Sequence, residues 1–142
     1  MKLIIGGFAQ GKLTYVLERD RSKSYRVLEG ECLRDTGITG EPKENNAVDK
    51  TETDGETVIL NHFHLWVRNR LKADGDLEKE IRKFLDRFPD CVIICDEIGN
   101  GIVPVEEFER VYREQTGRIV TALAKEAEEV VRVVCGIGQR IK

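Results

Sequence analysis

Apolar residues fall in short unbroken runs that alternate with segments in which they recur every three or four positions. Residues 2–5 (KLII), 24–28 (SYRVL), 57–60 (TVIL), 91–95 (CVIIC) and 130–135 (VVRVVC) are runs of strand length. Their continuity predicts strands buried on both faces. Between them, Leu13, Val16 and Leu17 are spaced for a helix over residues 12–20. Helices are also expected over 62–72 and 76–88, broken around Gly75. A longer helical pattern starts at Pro104 and runs through Val105, Phe108, Val111, Tyr112, Ile119 and Leu123 to about residue 128. Gly136 and Gly138 allow a turn before the end. Strands alternating with helices predict an α/β fold with a mainly parallel sheet.

Residues 29–56 break this pattern. They carry several glycines, a proline and many charges with little periodicity, and the expectation there is a long mobile loop. The length suits one domain, so residues 1–142 are read as a single nucleotide-binding domain with a flexible loop at 29–56.

Composition narrows the classes of function. The chain is 40% hydrophobic and 35% charged, with both signs interspersed and a net charge of −3. A nucleic-acid partner would call for a basic surface, so none is expected. No stretch approaches the ~20 apolar residues of a membrane span, and the opening residues carry no secretory pattern, which points to the cytoplasm. The four cysteines form no C-x-x-C pair, so neither a zinc ribbon nor a thioredoxin-type site is expected.

The first strand runs into Gly6, Gly7, Phe8, Ala9, Gln10, Gly11 and Lys12, which fits G-x-x-x-x-G-K between a strand and a helix. Glycines let the backbone curl so that successive N–H groups point inward at phosphate oxygens. The helix N-terminus adds about half a unit of positive charge, and Lys12 a full one for the β- and γ-phosphates. ATP or GTP is the expected ligand, held by residues 6–12 with Leu13 and Thr14. Leu13 occupies the position where a Ser or Thr normally places its hydroxyl on Mg²⁺. Thr14 is about 100° further around the helix and does not replace it without a backbone shift.

Asp96 and Glu97 follow the fourth apolar run. Carboxylates at the carboxyl ends of parallel strands face the crevice where ligands bind. Asp96 is a candidate Mg²⁺ ligand, and Asp96 or Glu97 could activate a substrate hydroxyl. Arg110 and Arg113, one helical turn apart, either reach phosphate or a neighbouring subunit or form a solvated face. His62 and His64 could form a metal pair or supply a nucleophile, but the favoured reading is that they line a pocket or a helix start. On a helix at i, i+2 they would point apart, while in an extended segment they would share a face. Trp66 is read as core.

The second half names a family. Asp96-Glu97-Ile98-Gly99, then Gly101-Ile102-Val103-Pro104, Arg110-x-x-Arg113-Glu114-x-x-Gly117-Arg118 and a final 136–142 segment GIGQRIK resemble the adenosylcobinamide kinase / adenosylcobinamide-phosphate guanylyltransferases. The glycine-rich 6–12 loop and residues 58–71 (VILNHFHLWVRNRL) match as well, leaving only 29–56 uncovered. The resemblance implies a P-loop NTPase fold with a RecA-like sheet flanked by helices. It implies an enzyme of cobalamin assembly that transfers the γ-phosphoryl of ATP or GTP to the aminopropanol hydroxyl of adenosylcobinamide. Lys12, Glu97 and Asp96 would be its catalytic residues, a corrinoid its second substrate and a homotrimer its assembly. The family carries a guanylyl group on a histidine between the second and third strands, yet residues 29–56 contain no histidine. Asn61 stands where the family has an acid. These departures count against guanylyl transfer and leave an alternative open, a non-catalytic nucleotide-binding relative acting as a regulatory or assembly partner.

Overall fold

The computed structural model describes residues 1–33 and 55–142, so most of the loop expected over 29–56 lies outside the described residues. Among the described residues six strands form one sheet: β1 (Lys2–Gly6), β2 (Tyr25–Glu29), β3 (Thr57–Asn61), β4 (Val92–Asp96), β5 (Glu129–Val134) and β6 (Ile137–Arg140). Their order is β2-β3-β4-β1-β5-β6. The first five are mutually parallel, and only β6 runs antiparallel, against β5. This is the expected α/β fold of the P-loop NTPase kind.

Four helices among the described residues flank the sheet: α1 (Lys12–Arg19), α2 (Phe63–Lys72), α3 (Leu77–Arg87) and α4 (Glu107–Glu126). Strand alternation sorts the core into two layers. Leu3, Leu60, Ile93 and Cys95 point to the face covered by α2, α3 and α4, where Phe63, Trp66, Phe84, Tyr112 and Leu123 pack. Ile4, Ile59, Val92, Ile94, Val131 and Val133 point to the α1 side with Val16, and Leu13 packs against that layer. Trp66 is fully buried, as expected of a core residue. Polar pairs tie the helical layer together: Arg68 with Glu109 joins α2 to α4, and Arg70 with Glu80 joins α2 to α3. Asp76 caps α3 by accepting from the Lys79 amide at 3.1 Å.

Two boundaries depart from the sequence pattern. The long helix begins at Glu107, three residues beyond Pro104. Val105 points into solvent, and the guanidinium of Arg110 donates to the carbonyls of Pro104 and Val105 while Arg113 donates to that of Ile102 at 2.8 Å. The arginine pair therefore spends its donors on holding the preceding loop. The second departure is β6. The turn foreseen at Gly136 closes a hairpin, because Cys135 (φ 51°) and Gly136 (φ 78°) both adopt the left-handed conformation of a two-residue hairpin turn.

Close packing leaves no room at Gly6. A Cβ there would run into the carbonyl oxygen of Val133 on β5. Gly6→Ala is expected to lower unfolding stability by about 1–3 kcal/mol in urea titration, since the obstacle is backbone that cannot rotate away. Gly99→Ala, where a Cβ meets nothing within 4 Å, is expected to stay within about 0.5 kcal/mol.

Burial also separates the thiols. Cys91 and Cys95 are buried, which pushes each up to about 12, whereas Cys32 and Cys135 are exposed. A thiol reagent at pH 8 is expected to modify Cys32 and Cys135 in the native protein, and Cys91 and Cys95 only after denaturation. Rapid modification of all four in native buffer would contradict this packing.

Candidate functional site

The carboxyl ends of the parallel strands form one polar edge. Gly6 of β1 lies in register with Asp96 of β4, and Glu29 of β2 with Asn61 of β3. The loop after β1 lifts from this edge through Ala9 (φ 55°) and Gly11 (φ 75°), both left-handed, before α1 begins. Gly11 caps α1 without a side-chain hydrogen bond, so side chains leave the first amides of the helix unclaimed. Alternating handedness of this kind turns successive N–H groups toward a common centre.

Lys12 is buried at the first position of α1. Its ammonium donates to the carbonyl of Gly7 at 2.7 Å and lies 2.6 Å from Oδ1 of Asp96. Both partners of the pair are less than a tenth exposed. Asp96 is thus brought against the loop lysine, as its place at the strand end suggested. Glu97 is separated from it: its amide donates to the Gly6 carbonyl at 2.9 Å, and its carboxylate pairs with Arg132 of β5 at 3.0 Å.

Leu13 is turned toward the apolar layer of Ile4 and Val16, and Thr14 is exposed. Neither brings a hydroxyl to Asp96, so the sequence departure at Leu13 persists in three dimensions. Phe8 is exposed at the tip of the loop. Gln10 braces the loop against the terminal hairpin. Its backbone carbonyl accepts from the Gly136 amide at 2.9 Å and its side-chain carbonyl from the Cys135 amide at 2.7 Å.

The histidines stand at a helix start, the reading favoured from sequence, rather than together on a helix or an extended segment. His62 is the left-handed residue (φ 51°) between β3 and α2, and His64 lies in the first turn of α2. That turn brings the rings edge-on with centroids 5.9 Å apart. No group of three or more His, Cys, Asp or Glu side chains among the described residues is arranged to hold a metal ion, so they do not form a metal pair with the nearby carboxylates. His64 is buried. Its Nδ1 accepts from the Asp96 amide at 3.4 Å, and its Nε2 lies 3.8 Å from Oδ2 of Asp96. Burial holds its imidazole below the usual histidine range, a shift that Asp96 opposes.

Glu29 was missed in the sequence. Its carboxylate accepts from the amide of Asn61 at 3.0 and 3.1 Å and lies 2.9 Å from Nδ1 of His62. The available signal was its position: it ends an apolar run, as Asp96 does. One cavity of about 220 Å³ opens at the opposite, amino edge of the strands, lined by Lys2, Tyr15, Arg19, Lys23 and Tyr25 among others. Its cations face Glu129 and Asp20, and it lies away from the phosphate-loop edge.

The buried ion pair sets an expectation for the nucleotide-free protein. Asp96→Ala leaves the Lys12 ammonium without a counter-charge and is expected to cost about 3–5 kcal/mol of unfolding stability. Removing both charges, in Lys12→Met with Asp96→Leu, is expected to cost less than Asp96→Ala alone, as a urea double-mutant cycle would read.

The chain is similar in sequence to known proteins. The profile of the cobinamide kinase / cobinamide phosphate guanyltransferase family matches residues 18–141. The bifunctional adenosylcobalamin biosynthesis proteins CobU of Salmonella typhimurium and Escherichia coli are each 45% identical over 51 residues, 36% of this chain and 28% of theirs. The corresponding protein CobP of Pseudomonas aeruginosa is 30% identical over 94 residues, 62% of this chain and 54% of its own. The matched stretches thus span between about a quarter and about half of these relatives.

Proposed function

The chain belongs to the cobinamide kinase / cobinamide phosphate guanyltransferase family, and on that premise we propose that it is a nucleotide-dependent kinase acting on a cobinamide in cobalamin biosynthesis. The observation that carries this reading is the Lys12 ammonium, buried beside Asp96 beneath a left-handed, glycine-rich loop at the carboxyl edge of a parallel sheet. In this reading the amides of residues 6–12 and the N-terminus of α1 receive the phosphates of ATP or GTP. Lys12 exchanges the Gly7 carbonyl for a phosphate oxygen, and the charge that develops on the transferred group meets a fixed cation.

The residues present fit a magnesium ion held mainly by phosphate and water, with Asp96 as its one nearby carboxylate. Bound there, the ion would neutralise charge on the triphosphate. Glu97, paired with Arg132, steadies the edge beside Asp96. Guanylyl transfer is outside the proposal, because no histidine occurs between β2 and β3. A corrinoid acceptor and a homotrimer come from the same family reading.

One observation favours a second reading. Leu13 buries its side chain where a metal-binding hydroxyl would stand, and a protein that binds nucleotide without turning it over loses nothing by that change. As such a protein the chain would act as a regulatory or assembly partner.

Incubation with γ- or α-labelled GTP or ATP and cobinamide separates the two. The kinase reading expects γ-label in cobinamide phosphate, no covalent α-label on the protein, strict Mg²⁺ dependence and a rate reduced at least about 10²-fold in Lys12→Ala. Tight nucleotide binding indifferent to Mg²⁺, with no label transferred, supports the non-catalytic reading and overturns the kinase.

A further inference from the structure

Both carboxylates that the sequence offered as bases are engaged with cations. Asp96 faces Lys12 and Glu97 faces Arg132. The same edge carries another acid–base group whose partners leave one ring nitrogen available. His62 sits immediately beyond the carboxyl end of β3, half-exposed, with Nδ1 2.9 Å from Oε2 of Glu29. An ionised carboxylate only accepts, so this contact calls for a proton on Nδ1, and in the neutral imidazole Nε2 then carries the lone pair. The Asn61 amide donates to both oxygens of Glu29 at 3.0 and 3.1 Å, closer than its 3.3 Å approach to Nδ1 of His62, and fixes the carboxylate against the ring.

The backbone is built to allow this contact. His62 is held in the left-handed region (φ 51°), which a residue other than glycine adopts only where its surroundings impose it. Gly30, next to Glu29, donates its amide to the Asn61 carbonyl at 2.9 Å, and a Cβ on Gly30 would collide with the carbonyl of His62. The ends of β2 and β3 are therefore pressed together where the imidazole meets the carboxylate. Among the described residues, the other groups around His62 are His64, edge-on at 5.9 Å, and behind it Asp96 and Lys12.

We propose that His62 is the catalytic base that takes the proton of the acceptor hydroxyl, with Glu29 and Asn61 as the residues that position it. This rests on the phosphoryl-transfer reading above. As the acceptor oxygen forms its bond to the γ-phosphorus, its proton passes to Nε2 of His62. The bond from the γ-phosphorus to the bridging oxygen breaks, and the nucleoside diphosphate leaves with that electron pair. The Glu29 carboxylate balances the imidazolium charge, and the half-exposed ring returns the proton to solvent.

The test combines three readouts on the full chain. In single-turnover assays with γ-labelled nucleotide and cobinamide, His62→Gln is expected to slow transfer about 10²- to 10⁴-fold. Its nucleotide affinity and its KM for cobinamide should stay within about threefold of the parent. Glu29→Gln, which keeps the shape and removes the charge, is expected to slow transfer by less. In ¹⁵N-imidazole spectra of the unaltered protein, His62 should carry its proton on Nδ1, and Glu29→Gln should weaken that preference; this reading does not depend on activity or on how a variant folds. Full-rate transfer by His62→Gln overturns the proposal. So does an Nε2-protonated His62, or α-phosphate label retained on His62, which would make it a nucleophile. Nucleotide binding without any transfer to cobinamide by the unaltered protein, or α-label on the protein, refutes the kinase reading and His62's role together, whereas full-rate transfer by His62→Gln or an Nε2-protonated His62 beside normal transfer strikes His62 alone.

Discussion

The contact between the Lys12 ammonium and the Asp96 carboxylate is the constraint around which the rest is arranged. Two opposite charges withdrawn from water at 2.6 Å cost desolvation that only close geometry and further hydrogen bonds can offset. The geometry comes from the sheet: β1 and β4 are neighbours with Gly6 opposite Asp96, so the residue that starts α1 overhangs the end of β4. The Gly7 carbonyl and the imidazole of His64 complete the shell around the pair. An incoming phosphate would offer the lysine a second anion in place of a carbonyl, without moving either charged group into a new environment.

The same register organises the remaining edge. Glu29, Asn61, Asp96 and Gly6 each end a parallel strand, and parallel pairing brings those ends into one row. The row divides by charge. Lys12 with Asp96 forms one pair beneath the phosphate loop, and His62 with Glu29 another at the ends of β2 and β3. His64 stands between them and is held neutral by burial, so it joins the pairs without adding a charge. In the proposed reaction these would be a phosphate-binding end and a hydroxyl-activating end on one rim, the division of labour that transfer to a second substrate requires.

On the other side of β1, the terminal hairpin supports the loop. Gln10 accepts from two consecutive amides of the β5–β6 turn, which point at it because Cys135 and Gly136 are both left-handed. Residues near the two ends of the chain thereby share one local structure. Leu13 belongs to the same economy of space: it fills the apolar layer above β1, where a hydroxyl would add no packing.

The sequence by itself determined most of the elements and the glycine-rich loop after β1. Strand runs such as CVIIC and helical spacing such as Tyr112, Ile119 and Leu123 are local, and burial on a sheet or against one is what such patterns encode. The loop at residues 6–12 was legible for the same reason, since its glycines, lysine and flanking elements are contiguous. Strand β6 was not, because IGQR carries no apolar alternation and is a strand only through pairing with β5. The arginines of α4 showed their place but not their partners, which are carbonyls of the preceding loop. Only the tertiary structure decided that Glu29 meets His62, 33 positions away, and that Lys12 meets Asp96. Strand order and register set those meetings, and both follow from how the whole chain shares its buried surface, a sum that no local stretch contains.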